Sequence, residues 1–184
     1  KIGSKYQHPE GLFFPDTYLF AKNSSDIQVY QQAHQAMLNR LDEVWKNRAP
    51  NLPYKEPYQV LVMASIIEKE TGQASERGMI ASVFVNRVRS GMLLQTDPTV
   101  IYGMGDQFQG NIRKRDLTTD TPYNTYTRAG LPPTPIALPG LDALKAAVNP
   151  EPSNAYYFVA RGNGTSQFSE NLNDHNKAVN KYRR

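Results

Sequence analysis

Through the first half of the chain apolar residues recur three and four positions apart, and beyond Gly91 that period is lost. Val29, Ala33, Ala36, Met37, Leu41, Val44 and Trp45 predict one apolar helix face over about 27–48. Ser25 or Asp26 serves as its cap, and Pro50-Asn51-Leu52-Pro53 as its stop. A second helix is predicted over 57–70, with Pro57 suited to the first turn and Gly72 to the end. A third covers about 76–89 between Ser75 and Gly91, with Ile80, Ala81, Val83, Phe84 and Val88 facing inward. Ahead of these, residues 1–25 mix aromatics with turn formers, an irregular lead-in expected to pack its rings on the body.

The second half reads differently. Gln95-Thr96-Asp97-Pro98-Thr99 has turn chemistry, and the density of Gly and Pro over 103–139 predicts long ordered loops. Loops of that length are frequent carriers of function. A short helix follows over 141–148, then a strand over 155–160. Arg161-Gly162-Asn163-Gly164 makes a turn, 166–169 a partner strand, and a last helix starts near Leu172. The expected fold is a single α+β domain, 1–184, with a helical core, long ordered loops and a small β-hairpin.

The 57–70 helix is apolar almost all round, so it is expected to be surrounded by protein. Yet it ends in Glu68-Lys69-Glu70. At about 100° per residue the two carboxylates point about 200° apart and cannot share one small cleft. A helix C-terminus disfavours negative charge, and partial burial does the same, so a carboxyl here keeps its proton to higher pH. That suits a general acid. Helix-end glutamates are more often solvated or paired, here with Lys69, Arg77 or Arg87 as partner. The residues alone leave both readings open.

Charge and composition narrow the function. The net charge of +4 is spread along the chain, concentrated only at Arg113-Lys114-Arg115 and Lys181-Tyr182-Arg183-Arg184, and predicts a solvated surface rather than a nucleic-acid interface. The chain has no cysteine, which excludes disulfides and thiolate chemistry. His8, His34 and His175 show no metal-ligand spacing, and no phosphate-cradling glycine motif or serine-hydrolase elbow occurs. No apolar run reaches the ~18 residues of a membrane span. Tyr123-Asn124-Thr125-Tyr126 reads either as a packed turn or as a platform of aromatic and amide groups for a sugar.

Seven ordered blocks then resemble the YceG-like family, the endolytic murein transglycosylases of the MltG type. They are Phe14-Pro15-Asp16-Thr17-Tyr18, Ala64-Ser65-Ile66-Ile67-Glu68-Lys69-Glu70-Thr71, and Ala81-Ser82-Val83-Phe84-Val85-Asn86-Arg87. The others are Leu94-Gln95-Thr96-Asp97-Pro98-Thr99-Val100-Ile101-Tyr102-Gly103, Tyr123-Asn124-Thr125-Tyr126, Gly130-Leu131-Pro132-Pro133 and His175-Asn176. The resemblance implies cleavage of the β-1,4 bond between N-acetylmuramic acid and N-acetylglucosamine within glycan strands, leaving a 1,6-anhydromuramoyl end.

It implies Glu70 as the catalytic acid and Glu68 as a structural residue held by a nearby arginine. Gln95, Asp97, Asn124 and Tyr126 are candidate substrate contacts. No cofactor and no metal are implied; the expected partners are peptidoglycan strands and penicillin-binding proteins. The resemblance also implies a single-pass protein of the bacterial inner membrane, with this domain in the periplasm or outside the cell. Its N-terminal anchor and LysM-like region are not in 1–184, so the chain is expected to be a catalytic-domain fragment. Three other readings are a muramidase with Asp97 as second carboxylate, a non-catalytic glycan-binding or scaffold module, and a pyridoxal-phosphate lyase, for which Lys69 lacks a phosphate-binding setting.

Overall fold

The computed structural model describes residues 2–183; Lys1 of the lead-in and Arg184 of the C-terminal basic group lie outside the described residues. In chain order the elements are α1 (Asp26–Lys46), α2 (Pro57–Glu70), α3 (Arg77–Ser90), α4 (Asp97–Met104), α5 (Lys114–Thr118), α6 (Leu141–Val148), β1 (Tyr157–Ala160), β2 (Ser166–Ser169) and α7 (Leu172–Tyr182). The expected single α+β domain is what the chain forms: a helical core with one antiparallel hairpin.

α2 is the hub. Every residue from Val60 to Ile67 is buried, and α1, α3, α4 and α6 all pack on it. An element enclosed on all sides needs no polar stripe, which explains its near-continuous apolar sequence. Its one interior hydroxyl is satisfied twice. Ser65 Oγ donates to the Val62 carbonyl at 2.6 Å and accepts from the Ile136 backbone N–H at 3.0 Å, tying the proline-rich loop to the core. The Tyr54 hydroxyl similarly donates to the Ala147 carbonyl at 2.8 Å and fastens α6.

The lead-in packs as expected. Tyr6 stacks on Tyr58 at 4.7 Å, and the Phe14 N–H donates to the Ala33 carbonyl at 3.0 Å. Gly11 is needed there: its φ is +80°, and a Cβ would sit 2.5 Å from Pro135 Cβ. In the hairpin Tyr157 faces Ser169 and Ala160 faces Ser166, with the Arg161 N–H donating to the Thr165 carbonyl across the turn. α7 packs on both strands.

Several boundaries differ from expectation. α2 stops at Thr71, whose hydroxyl donates to the Ile67 carbonyl at 2.7 Å, and not through Gly72. Ser75 does not cap α3, which follows a short 3₁₀ turn over Ala74–Glu76. Gly91 does end α3, in the left-handed conformation. The Asp97-Pro98 turn is in fact the first turn of α4, because proline at a first helical position lacks only an N–H that would be orphaned anyway. α5 adds one further short helix inside the loop region.

The expected single-pass inner-membrane placement is corrected here. No helix among the described residues is long and apolar enough to cross a membrane. α1 has 21 residues, but Asp26, Arg40, Asp42, Glu43 and Lys46 interrupt it.

Candidate active site

A cavity of about 420 Å³ opens where the end of α2, the C-terminal half of α3, the start of α4, β1 and α7 converge. Glu70, Gln95, Asp97 and Tyr126 all line it. Glu68 does not. The helix wheel sends it to the other side of α2, where its Oε1 accepts from the Gly140 N–H at 2.7 Å. Gly140 is the N-cap of α6, so this carboxylate satisfies an orphan donor at the positive end of that helix dipole. The expected arginine partner is thus replaced by a backbone amide. Glu68→Ala is expected to lower stability by about 1 kcal/mol, read as a thermal midpoint lower by roughly 2–4 °C.

Glu70 is the last residue of α2 and partly buried. Burial raises its carboxyl pKa above the ordinary range; the hydrogen bond from Thr96 opposes that, and the Asp97 charge adds to the rise. Thr96 Oγ1 donates to Glu70 Oε1 at 2.5 Å. Behind Thr96 lies a sealed polar network. The Thr96 N–H donates to Thr125 Oγ1 at 3.0 Å, the Thr99 and Thr125 hydroxyls are 2.8 Å apart, and Thr99 Oγ1 donates to the Thr96 carbonyl at 2.8 Å. All three threonines are buried. A satisfied buried network of this kind holds one carboxylate oxygen in place.

Gln95 sits at the cavity mouth with φ at +49°, a strained value for a non-glycine residue. Its N–H donates to the Thr125 carbonyl at 3.1 Å, which helps hold that conformation. Asp97 Oδ1 accepts from the Tyr126 hydroxyl at 2.5 Å. Burial first, and then that bond, raise the Tyr126 pKa, so the phenol keeps its proton.

Asn124 is placed elsewhere. It is only 1% exposed and does not line the cavity. Its Nδ2 donates to the carbonyls of Asp116, Leu117 and Thr119, and its Oδ1 accepts from the Tyr126 N–H at 2.8 Å. It shapes the loop that presents Tyr126.

The remaining wall comes from residues that sequence reasoning did not select. Arg87 Nε donates to the Tyr156 carbonyl at 2.7 Å and Nη1 to the Leu93 carbonyl at 2.8 Å, while its guanidinium lies 4.9 Å from the Tyr157 ring centre. His175 stacks on the other partner of that pair, with ring centres 4.9 Å apart from Tyr157. Burial and then the Arg87 and Arg183 charges lower the His175 pKa, so its imidazole is neutral near pH 7. The only available signal was membership of Arg87 and His175 in the ordered blocks. No cluster of three or more acidic or histidine side chains fit for a metal occurs among the described residues.

The model of the YceG-like family matches residues 2–181. The chain is 39% identical over 177 residues to the endolytic murein transglycosylase of Bacillus subtilis (strain 168), covering 96% of this chain and 49% of that protein. It is 32% identical over 183 residues to the endolytic murein transglycosylase of Streptococcus pneumoniae serotype 2 (strain D39 / NCTC 7466), covering 96% and 32%. The crystal structure of a YceG-like protein from Listeria monocytogenes superposes with a TM-score of 0.79 at 39% identity, over 96% of this chain and 58% of that one. The chain thus spans about a third to a half of the length of the curated relatives it matches.

Proposed function

The chain belongs to the YceG-like family, and on that premise we propose that this domain cleaves murein glycan strands internally as a lytic transglycosylase, with Glu70 as acid and then base. One observation carries the reading. Glu70 is a carboxyl with a raised pKa, tethered through one oxygen to Thr96, at the wall of a cavity. Protonated Glu70 gives its proton to the glycosidic oxygen as the C1–O bond of N-acetylmuramic acid breaks and positive charge develops at C1. The sugar's own C6 hydroxyl then bonds to C1, and the Glu70 carboxylate takes the proton that hydroxyl loses. No water is consumed and Glu70 ends protonated, ready for the next bond. An internal nucleophile needs no second protein carboxylate, and its proximity supplies much of the acceleration. Gln95, Asp97 and Tyr126 are proposed to contact the sugars. Asn124 is proposed to act through the loop that presents Tyr126.

A hydrolytic reading draws on Asp97, which shares the cavity and whose charge bears on Glu70. Its Oδ1 is committed to the Tyr126 hydroxyl, which favours ordering over activation of water. Lys69, which a Schiff-base mechanism would use, is exposed and outside the cavity. Mass analysis of digested strands tests the proposal: new muramoyl ends one water lighter than reducing ends are expected, and reducing ends alone would overturn it.

Thr96→Val isolates the tether. The Thr96 hydroxyl favours the ionised carboxyl, so its loss is expected to raise the Glu70 pKa further. The acid form then persists to higher pH, and the alkaline limb of the kcat/KM profile moves upward, while kcat falls about tenfold as the carboxylate loses its anchor. A pH–rate series on both proteins checks the direction.

A further inference from the structure

Arg87 is 7% exposed and has no acidic partner among the described residues. Arg40, Arg77 and Arg128 each meet a carboxylate; Arg87 meets two carbonyls and the face of the Tyr157 ring, none of which carries a negative charge. A guanidinium carries five N–H donors. Nη2 of Arg87 has no protein partner among the described residues, and it is not sealed from solvent. An uncompensated buried charge is costly, so a cation left facing a cavity marks a place for an external anion. Arg183 lines the same cavity, just past the end of α7, also without an acidic partner among the described residues. His175 feels both guanidinium charges.

The two carboxylates of the cavity do not fill this need. Glu70 is held by Thr96 and Asp97 by Tyr126. The cavity thus holds two carboxylates engaged by hydroxyls and two guanidinium groups without an acidic partner among the described residues. A planar guanidinium beside a second arginine matches the two oxygens of a carboxylate.

We propose that Arg87 and Arg183 form a carboxylate-binding subsite in the cavity that Glu70 also lines, which seats an acidic substituent of the muramoyl unit and so selects the bond presented to Glu70. The inference rests on murein strands being the substrate. Two sources share the chemistry. In strands without peptides the lactyl carboxylate of muramic acid is free; in peptide-bearing strands that group is an amide, and the carboxylates belong to the peptide.

The test is binding to the Glu70→Gln protein, with and without Arg183→Ala, measured by calorimetry. Arg183 is exposed, and a thermal midpoint confirms that the variant is folded. Three ligands are compared: peptide-free strands, the same strands with lactyl carboxylates converted to carboxamides, and peptide-bearing strands. The Glu70→Gln protein is expected to bind peptide-free or peptide-bearing strands about tenfold more tightly than carboxamide strands, and Arg183→Ala to abolish that preference. A preference for peptide-free strands assigns the lactyl group, and one for peptide-bearing strands alone assigns the peptide. Equal binding of all three ligands, or equal weakening of all three by Arg183→Ala, overturns the subsite. Carboxylate-dependent binding without anhydro products from the wild type would leave the subsite standing and remove the transglycosylase reading instead.

Discussion

Glu70→Gln is expected to lower kcat/KM on murein strands about a thousandfold, since the amide cannot give or take the proton at the glycosidic oxygen. The fold should survive, because the amide oxygen can still accept from Thr96 Oγ1. Stability should move the other way. The folded state holds the Glu70 proton more tightly than the unfolded chain does, so this group stabilises the protein fully only below the ordinary carboxylate pKa. That contribution is lost as pH rises through the elevated folded value, and above it the ionised carboxylate is a burden. The variant is therefore expected to melt above the wild type at neutral pH, with the gap closing in acid. Thermal scans at several pH values, run beside the activity assay, read both effects. A less active protein that is also less stable at neutral pH would contradict this account of Glu70.

Asn124→Ala is expected to give the second large effect, about 3 kcal/mol of destabilisation and a thermal midpoint lower by roughly 6–12 °C. Truncation leaves the carbonyls of Asp116, Leu117 and Thr119 and the Tyr126 N–H without their side-chain partner in a part-buried setting, and empties the buried site of the amide. Four hydrogen bonds lost at once, each worth roughly 0.5–1.5 kcal/mol, account for an effect of that size. kcat should fall through displacement of Tyr126. An unchanged midpoint with a raised KM would instead make Asn124 a sugar contact.

The legible parts of the fold were those with a repeating period. α1, α2, α3 and α6 each carry enough apolar positions to declare a face, and the Arg161-to-Gly164 turn declares the hairpin. α4 was hidden because Asp-Pro-Thr is common to turns and helix starts, and its eight residues are too few for a period to show. The end of α2 depended on a threonine side chain rather than on the nearby glycine, a choice only the tertiary setting makes.

The site was legible in a different way. Helix geometry alone separated Glu68 from Glu70, and the structure keeps them apart, one on Gly140 and the other in the cavity. The choice of Glu70 came from the family resemblance. Thr96, Thr99 and Thr125 read as turn formers, because their mutual bonds span residues far apart in sequence. Arg87 lies on α3 and Arg183 just past the end of α7, nearly a hundred residues apart in sequence, so no local pattern announces that the two cations share one cavity.

The central claim is that the strand's own C6 hydroxyl, and not water, closes the reaction on Glu70. Digestion of murein strands in water enriched in heavy oxygen, followed by mass analysis of the new muramoyl ends, tests it most directly. The account predicts anhydro ends with no incorporated label, formed by the wild type and not by Glu70→Gln. One labelled oxygen at each new end would show that water is the nucleophile and contradict it.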